Sequence, residues 1–148
     1  MTEAMWIRSH LERLLQDEWG RPNVCADAEG DYLVPPTGTA ACWISMVPIG
    51  DHHLIRIWAH AAVGLRKSMK LLNELNDIQL RCTSVALGLC ANGSVTVSQT
   101  ISPLGLTPPT LMQSIAGVIA VAEDIGVLLT ALFGGSTPFP VALPPLSS

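Results

Sequence analysis

Charge is what this sequence has least of. Only 14% of its 148 residues are Asp, Glu, Lys or Arg, against about one quarter in an ordinary soluble domain, so something besides water is expected to cover part of its surface. Basic residues are the scarcer sign, eight against twelve acidic ones, for a formal charge of -4. Affinity for a phosphate backbone comes from clustered Lys and Arg that displace counterions; eight scattered ones exclude a nucleic-acid partner and favour a protein-facing role. The four cysteines, Cys25, Cys42, Cys82 and Cys90, form no Cys-x-x-Cys pair and have no histidine at ligand spacing, so no zinc site is expected. Cys82 and Cys90 are expected on one strand, where eight extended residues at about 3.3 Å each place them too far apart to bridge. All four read as reduced thiols, packed as small hydrophobes in a reducing compartment.

No secretory signal peptide is expected either. The amino terminus carries Arg8, His10, Glu12 and Arg13 where a signal peptide needs an apolar run, which points to the cytoplasm. Residues 111–133 are long enough to span a bilayer, yet adjacent Glu123 and Asp124 interrupt them at the middle, at about 2.5 to 3.5 kcal/mol for each central acidic residue. The segment reads as a buried helix with one wet edge, and no membrane insertion is expected. Nor do a nucleophile, a base and an orienting acid stand at any telling spacing; Gly88 and Gly93 belong to a strand and a hairpin, not to a phosphate loop. Glu74, Glu123 and Asp124 read as solvated helix faces. His52 and His53 point to opposite faces of a strand and cannot jointly grip a metal. No catalytic residue, cofactor or metal is therefore assigned.

Hydrophobic residues, by contrast, make up 49% of the chain, and their period changes along it. Residues 3–19 place Met5, Ile7, Leu11, Leu14, Leu15 and Trp19 at spacings of three and four, an amphipathic helix capped by Thr2 and ended by Gly20. The period then becomes two, in runs over 32–34, 41–47 and 52–62 separated by Pro-Pro-Thr-Gly at 35–38 and a turn at 48–51, a three-stranded meander. A second helix is expected over 64–76, with Leu65, Met69, Leu72 and Leu75 on one face and Asn76 at its end. Strands over 80–90 and 94–101 follow, joined by Asn92-Gly93, a strong hairpin signal. Thr107-Pro108 starts a last helix that Gly134-Gly135 stops. The expected class is α+β, in the order α-β-β-β-α-β-β-α, an antiparallel sheet with helices packed on it. One domain over 1–135 is expected, followed by a proline-rich arm over 136–148.

The segment Leu71-Leu72-Asn73-Glu74-Leu75-Asn76, the hairpin with Asn92-Gly93-Ser94-Val95-Thr96-Val97, then Leu106-Thr107-Pro108 and a long helix ending Leu132-Phe133-Gly134-Gly135 together resemble the YbjN-type domain. That domain is widespread in actinobacteria and similar in fold to class I chaperones of type III secretion. The resemblance implies a small, acidic, usually dimeric protein that holds a stretch of another polypeptide, with no catalytic residues to carry over. Pro109 stands where an acidic residue is common, and the proline-rich arm is outside the pattern.

Strand alternation supplies a candidate surface. In the run over 52–62, His53, Ile55, Ile57, Ala59 and Ala61 share one side, and His52, Leu54, Arg56, Trp58 and His60 the other. Trp43 and Val47 likewise stand opposite Cys42, Ile44 and Met46. A single layer of helices hides only one side, so Trp43, Val47, Leu54, Arg56 and Trp58 form a candidate peptide-binding or dimer interface. The readings left open are a client-holding chaperone or adaptor, a structural or regulatory homodimer in which a symmetric copy covers that side, coverage by the second helix, and a small-molecule cup. A further expectation is that residues 138–145 lie in a neighbouring copy's groove as an extended pseudo-client.

Overall fold

The computed structural model describes residues 2–141. Its elements are α1 (Glu3–Trp19), β1 (Tyr32–Leu33), β2 (Ala41–Ile49), β3 (His52–Ala62), α2 (Met69–Arg81), β4 (Ala86–Leu89), β5 (Val95–Ile101) and α3 (Pro108–Phe133), the order expected from the sequence. The five strands form one antiparallel sheet in the order β1-β2-β3-β5-β4. The β4–β5 hairpin inserts its second strand beside β3 and leaves β4 at the edge.

One side of the sheet is the core. Ile44, Ile55, Ile57, Ala59, Ala61, Val95 and Val97 are buried there together with Leu11 and Leu15 of α1, Leu71, Leu75 and Ile78 of α2, and Leu111, Val118, Ala122 and Leu129 of α3. All three helices thus contribute to a single apolar cluster, each buried Leu or Ile worth about 1.5 to 3 kcal/mol. Small residues let α3 approach β3: a methyl group added at Gly126 would run into the carbonyl oxygen of Ala61. Tyr32 joins α1 to β1, its hydroxyl accepting from Arg8 Nη1 at 3.1 Å and donating to Glu12 Oε1 at 2.8 Å. Burial, and next the bond to Glu12, raise its pKa far above the ordinary phenol value.

Helix ends follow their capping residues. Thr2 accepts from Met5 N, and Gly20 closes α1 in the left-handed region. Thr107 accepts from Thr110 N, with prolines in the first turn, and the Gly134 amide caps α3 on Thr130 O. The α3 helix is long and apolar enough by composition to cross a membrane, yet in this fold it lies along β3 and β5 with Leu111, Ile115, Val118, Ala122, Ile125 and Leu129 buried.

The second helix departs from its expected place. It begins five residues later than the 64–76 segment, because Ser68 is the residue whose hydroxyl accepts from Leu71 N, while Leu65 N is already committed to Gly93 O at 2.9 Å. It also runs to Arg81, since Ile78 continues the stripe of Leu71 and Leu75 at spacings of four and three; Asn76 is interior, and Met69 and Leu80 are exposed. The strand expected over 80–90 shrinks accordingly to β4, and Cys82 caps α2 instead of sharing a strand with Cys90. Gln79 fixes this junction by donating to Cys82 O and Val85 O and accepting from Leu87 N. Cys42 is buried, Cys82 half-buried, and Cys25 and Cys90 exposed, all four as free thiols, so burial holds for only part of the set. The first strand ends at Leu33, one residue short of the expected run, and β2 runs on through Pro48 to Ile49 before the turn. At Pro48 the strand has lost its outer neighbour β1, a position where a missing donor blunts the free edge.

Beyond α3 the chain returns to the fold. Val63 and Ser136 exchange both backbone bonds, at 2.8 and 3.0 Å, and Phe139 N donates to Thr39 O at 3.0 Å. The pseudo-client expectation over 138–145 therefore starts on a segment tied to its own chain at Phe139, and its remainder at 142–145 lies outside the described residues.

Candidate functional site: the open face of the sheet

Strand register decides which side chains share the face away from the helices. Residues directly opposite in an antiparallel pair project to the same side. The β2–β3 register pairs Trp43 with Trp58, Ser45 with Arg56, Val47 with Leu54 and Ile49 with His52. Leu33 on β1 faces Trp43, and on β5 Thr96, Ser98 and Thr100 face His60, Trp58 and Arg56. The five residues singled out from alternation, Trp43, Val47, Leu54, Arg56 and Trp58, thus stand together on two neighbouring strands, all half-buried. The second helix takes its place at β4 and sends its buried residues into the core cluster.

Two apolar patches and a polar band make up this face. At one end the indoles of Trp43 and Trp58 stack at 4.6 Å with 19° between their planes, and Leu33 beside them is 54% exposed. The His60 ring stands edge-on to both indoles, at 5.2 and 5.4 Å. Burial alone pushes the His60 imidazole below its ordinary pKa, and its Nδ1 has no hydrogen-bond partner among the described residues, so burial favours the neutral ring, which stands as an apolar wall. At the other end Val47 and Leu54 pair beside Ile49, which is 52% exposed. Between them Ser45, Arg56 and Thr100 form a row. The Arg56 guanidinium lies 5.8 Å from the Trp58 ring centroid, within reach of a cation–π attraction. Trp58 Nε1 donates to Ser45 Oγ at 2.7 Å, and Ser45 Oγ donates to Asp31 Oδ1 at the rim, so the indole is locked by a two-bond relay.

Ser45, His60, Asp31 and Leu33 belong to this arrangement without having been singled out as site residues. Alternation alone carries the signal for Ser45 and His60, which share parity with Trp43 and Trp58; Asp31 and Leu33 depend on the register of the two-residue β1, which the sequence pattern does not announce.

Other concave features lie around the face. Leu54 also enters a cavity of about 430 Å³ walled by Glu3, Trp6, His52, His53 and Leu104. There the Glu3 carboxylate accepts from His53 N at 2.9 Å and pairs with His52 Nδ1 at 3.4 Å; the backbone bond from His53 is the largest influence lowering its pKa. A wider groove of about 710 Å³ between the 36–39 loop and α3 contains none of the five residues. The carboxylates of Asp27, Glu29 and Asp31 approach one another within 4.8 Å. Asp27 Oδ1 is occupied by the amides of Glu29 and Asp31, and Asp31 Oδ1 by Ser45, so the cluster serves the turn leading into β1.

Known proteins share this architecture. Three solved structures align over most of the chain at low identity, which shows a common fold. A chain in the ExsC–ExsE complex has a TM-score of 0.64 at 21% identity, covering 82% of this chain and 95% of that one. One in the HopA1–SchA chaperone–effector complex has 0.65 at 16%, covering 84% and 96%. One in the complex of the Yersinia pestis type III secretion chaperone SycH with a stable fragment of YscM2 has 0.56 at 16%, covering 83% and 98%. No curated protein matches the chain. A family model matches residues 5–141, through all eight elements and the segment that returns to Val63 and Thr39, and the chain belongs to that family, the T3SS (YopN, CesT) and YbjN peptide-binding chaperones, group 1.

Proposed function

We propose that this protein is a non-catalytic chaperone or adaptor that holds a segment of another polypeptide against the open face of its sheet, in the cytoplasm. One observation carries the reading: in a member of a peptide-binding family, the stacked Trp43–Trp58 pair and the Val47–Leu54 pair stand half-buried on a sheet face whose opposite side receives the buried residues of all three helices. Apolar area of this kind rimmed by polar groups marks an interaction surface, and tryptophans carry a disproportionate share of binding energy at such surfaces. Two of its structural relatives come from complexes with an effector or with a protein fragment, which supports the same kind of partner. This role needs no reaction, cofactor or metal.

A homodimer through the same face is the competing reading, favoured by the same four apolar side chains. The test is capture from the protein's own host, followed by mapping of bound segments, with wild type beside the double variant Trp43→Ser, Trp58→Ser. Wild type should retain polypeptide segments that the double variant releases. If both retain the same segments, the client lies elsewhere; if neither retains any and the wild type sediments as a dimer that the double variant dissociates, the homodimer stands.

A further inference from the structure

The open face carries a charge that no described residue pairs as an ion. Arg56 sits in the polar band between the two apolar patches, flanked by Ser45 and Thr100, and both ion pairs among the described residues belong to Glu3. Asp31, at the rim, commits its Oδ1 to the Ser45 hydroxyl and makes no ion pair with Arg56. Guanidinium groups present a rigid fork of donors that matches a carboxylate. A half-buried one beside an indole is less hydrated than a surface lysine, so a carboxylate that reaches it gains more than at an open surface. Covering Arg56 with an apolar segment would instead bury an unpaired cation, which is costly.

The spacing sets the rest of the recognition. Trp58 and Leu54 are four residues apart on β3, about 13 Å at 3.3 Å per residue, with Arg56 midway. A segment lying over the face of β2, β3 and β5, rather than along an edge, meets side chains and no ladder groups, so its own backbone bonds must be met internally. A helix does this. On a helix, residues at i, i+4 and i+8 span about 12 Å within a stripe of about 80°.

We propose that the open face selects an amphipathic helix presenting two apolar side chains about eight positions apart with an acidic residue midway, whose carboxylate pairs with Arg56. This rests on the reading of the face as the client surface, and its own content is the charge selection. It assigns Arg56 the choice among partners, and Trp43, Trp58, Val47 and Leu54 the bulk of the contact.

The test uses the full chain and synthetic alanine-based helical peptides with leucines eight positions apart and glutamate, glutamine or lysine midway, followed by fluorescence anisotropy. Wild type should bind the glutamate peptide about tenfold more tightly than the glutamine one, the size expected of a charge-assisted hydrogen bond, and added salt should narrow the gap. Arg56→Gln should erase the preference, and Arg56→Glu should turn it toward the lysine peptide. Equal affinity of wild type for the glutamate and glutamine peptides overturns the proposal through the peptides alone, whatever the protein variants do. Should both bind equally and both be lost in the Trp43→Ser, Trp58→Ser variant, the charge selection fails and the client surface survives. If peptide binding is indifferent to that double variant, or no peptide binds because a second copy holds the face, the client reading itself fails.

Discussion

His60 shows how a single side chain on the open face couples packing to pH. Its ring is wedged edge-on against Trp43 and Trp58, where desolvation disfavours the imidazolium and lowers the pKa below 6.5. The unfolded chain takes up a proton near that ordinary value while the folded chain resists it, so the unfolded state binds more protons once the pH drops below about 6.5, and stability falls with it. Above that pH both states are neutral and His60 contributes no slope. Glu3, whose carboxyl is shifted down from 4.5, acts in a more acidic window and leaves this one clear. Urea midpoints at about pH 7.5 and about pH 5.5 should therefore differ more for wild type than for His60→Gln. Equal differences in the two proteins would show that the ring titrates freely and does not serve as an apolar wall.

At the scale of elements, α3 and β3 are set at their distance by glycine and alanine. The ring of contacts at Gly126 leaves no room for a β-carbon against the Ala61 carbonyl, whereas Gly117, nine residues earlier on the same helix, faces open space. Gly126→Ala should then cost about 2 kcal/mol through overpacking, and Gly117→Ala should gain about 0.5 to 1 kcal/mol from helix propensity. Denaturant melts of the two variants check this directly, and a neutral Gly126→Ala would mean that α3 rides farther from β3 than described. Element boundaries also mark where sequence reading worked and where it did not. Thr2, Gly20, Asn92-Gly93 and Thr107-Pro108 are local signals with local consequences, and α1, α3 and the β4–β5 turn fall where those residues put them. The second helix slipped because residues 64–81 contain two overlapping apolar stripes. The one through Leu71, Leu75 and Ile78 wins by meeting the core, aided by the Ser68 cap and the Gln79 bonds, none of which a periodicity count weighs. The insertion of β5 between β3 and β4 is likewise a long-range choice.

For the whole molecule, period-two alternation is what made the candidate face legible: whichever strands pair, Leu54, Arg56 and Trp58 must point away from Ile55 and Ile57. Alternation says nothing of neighbours across strands, and so the Trp43–Trp58 stack, the Ser45–Asp31 relay and the Leu33 flank emerge only from register. The two faces should also divide stability from binding. Ile57 is fully buried in the cluster shared by all three helices, and Ile57→Ala should cost about 2 to 5 kcal/mol as a core truncation. Val47 and Leu54 are half-buried on the other side, where Val47→Thr with Leu54→Thr removes only partly buried area and should cost about 1 kcal/mol. Thermal melts of the isolated protein should show this asymmetry, and a captured client, by binding only the native state, should raise the melting temperature of wild type and leave that of the Val47→Thr, Leu54→Thr variant nearly where it was. If the double threonine variant melts as low as Ile57→Ala, the face is not open in solution, since something already packs against it, and the division of labour between the two sides of the sheet falls with it.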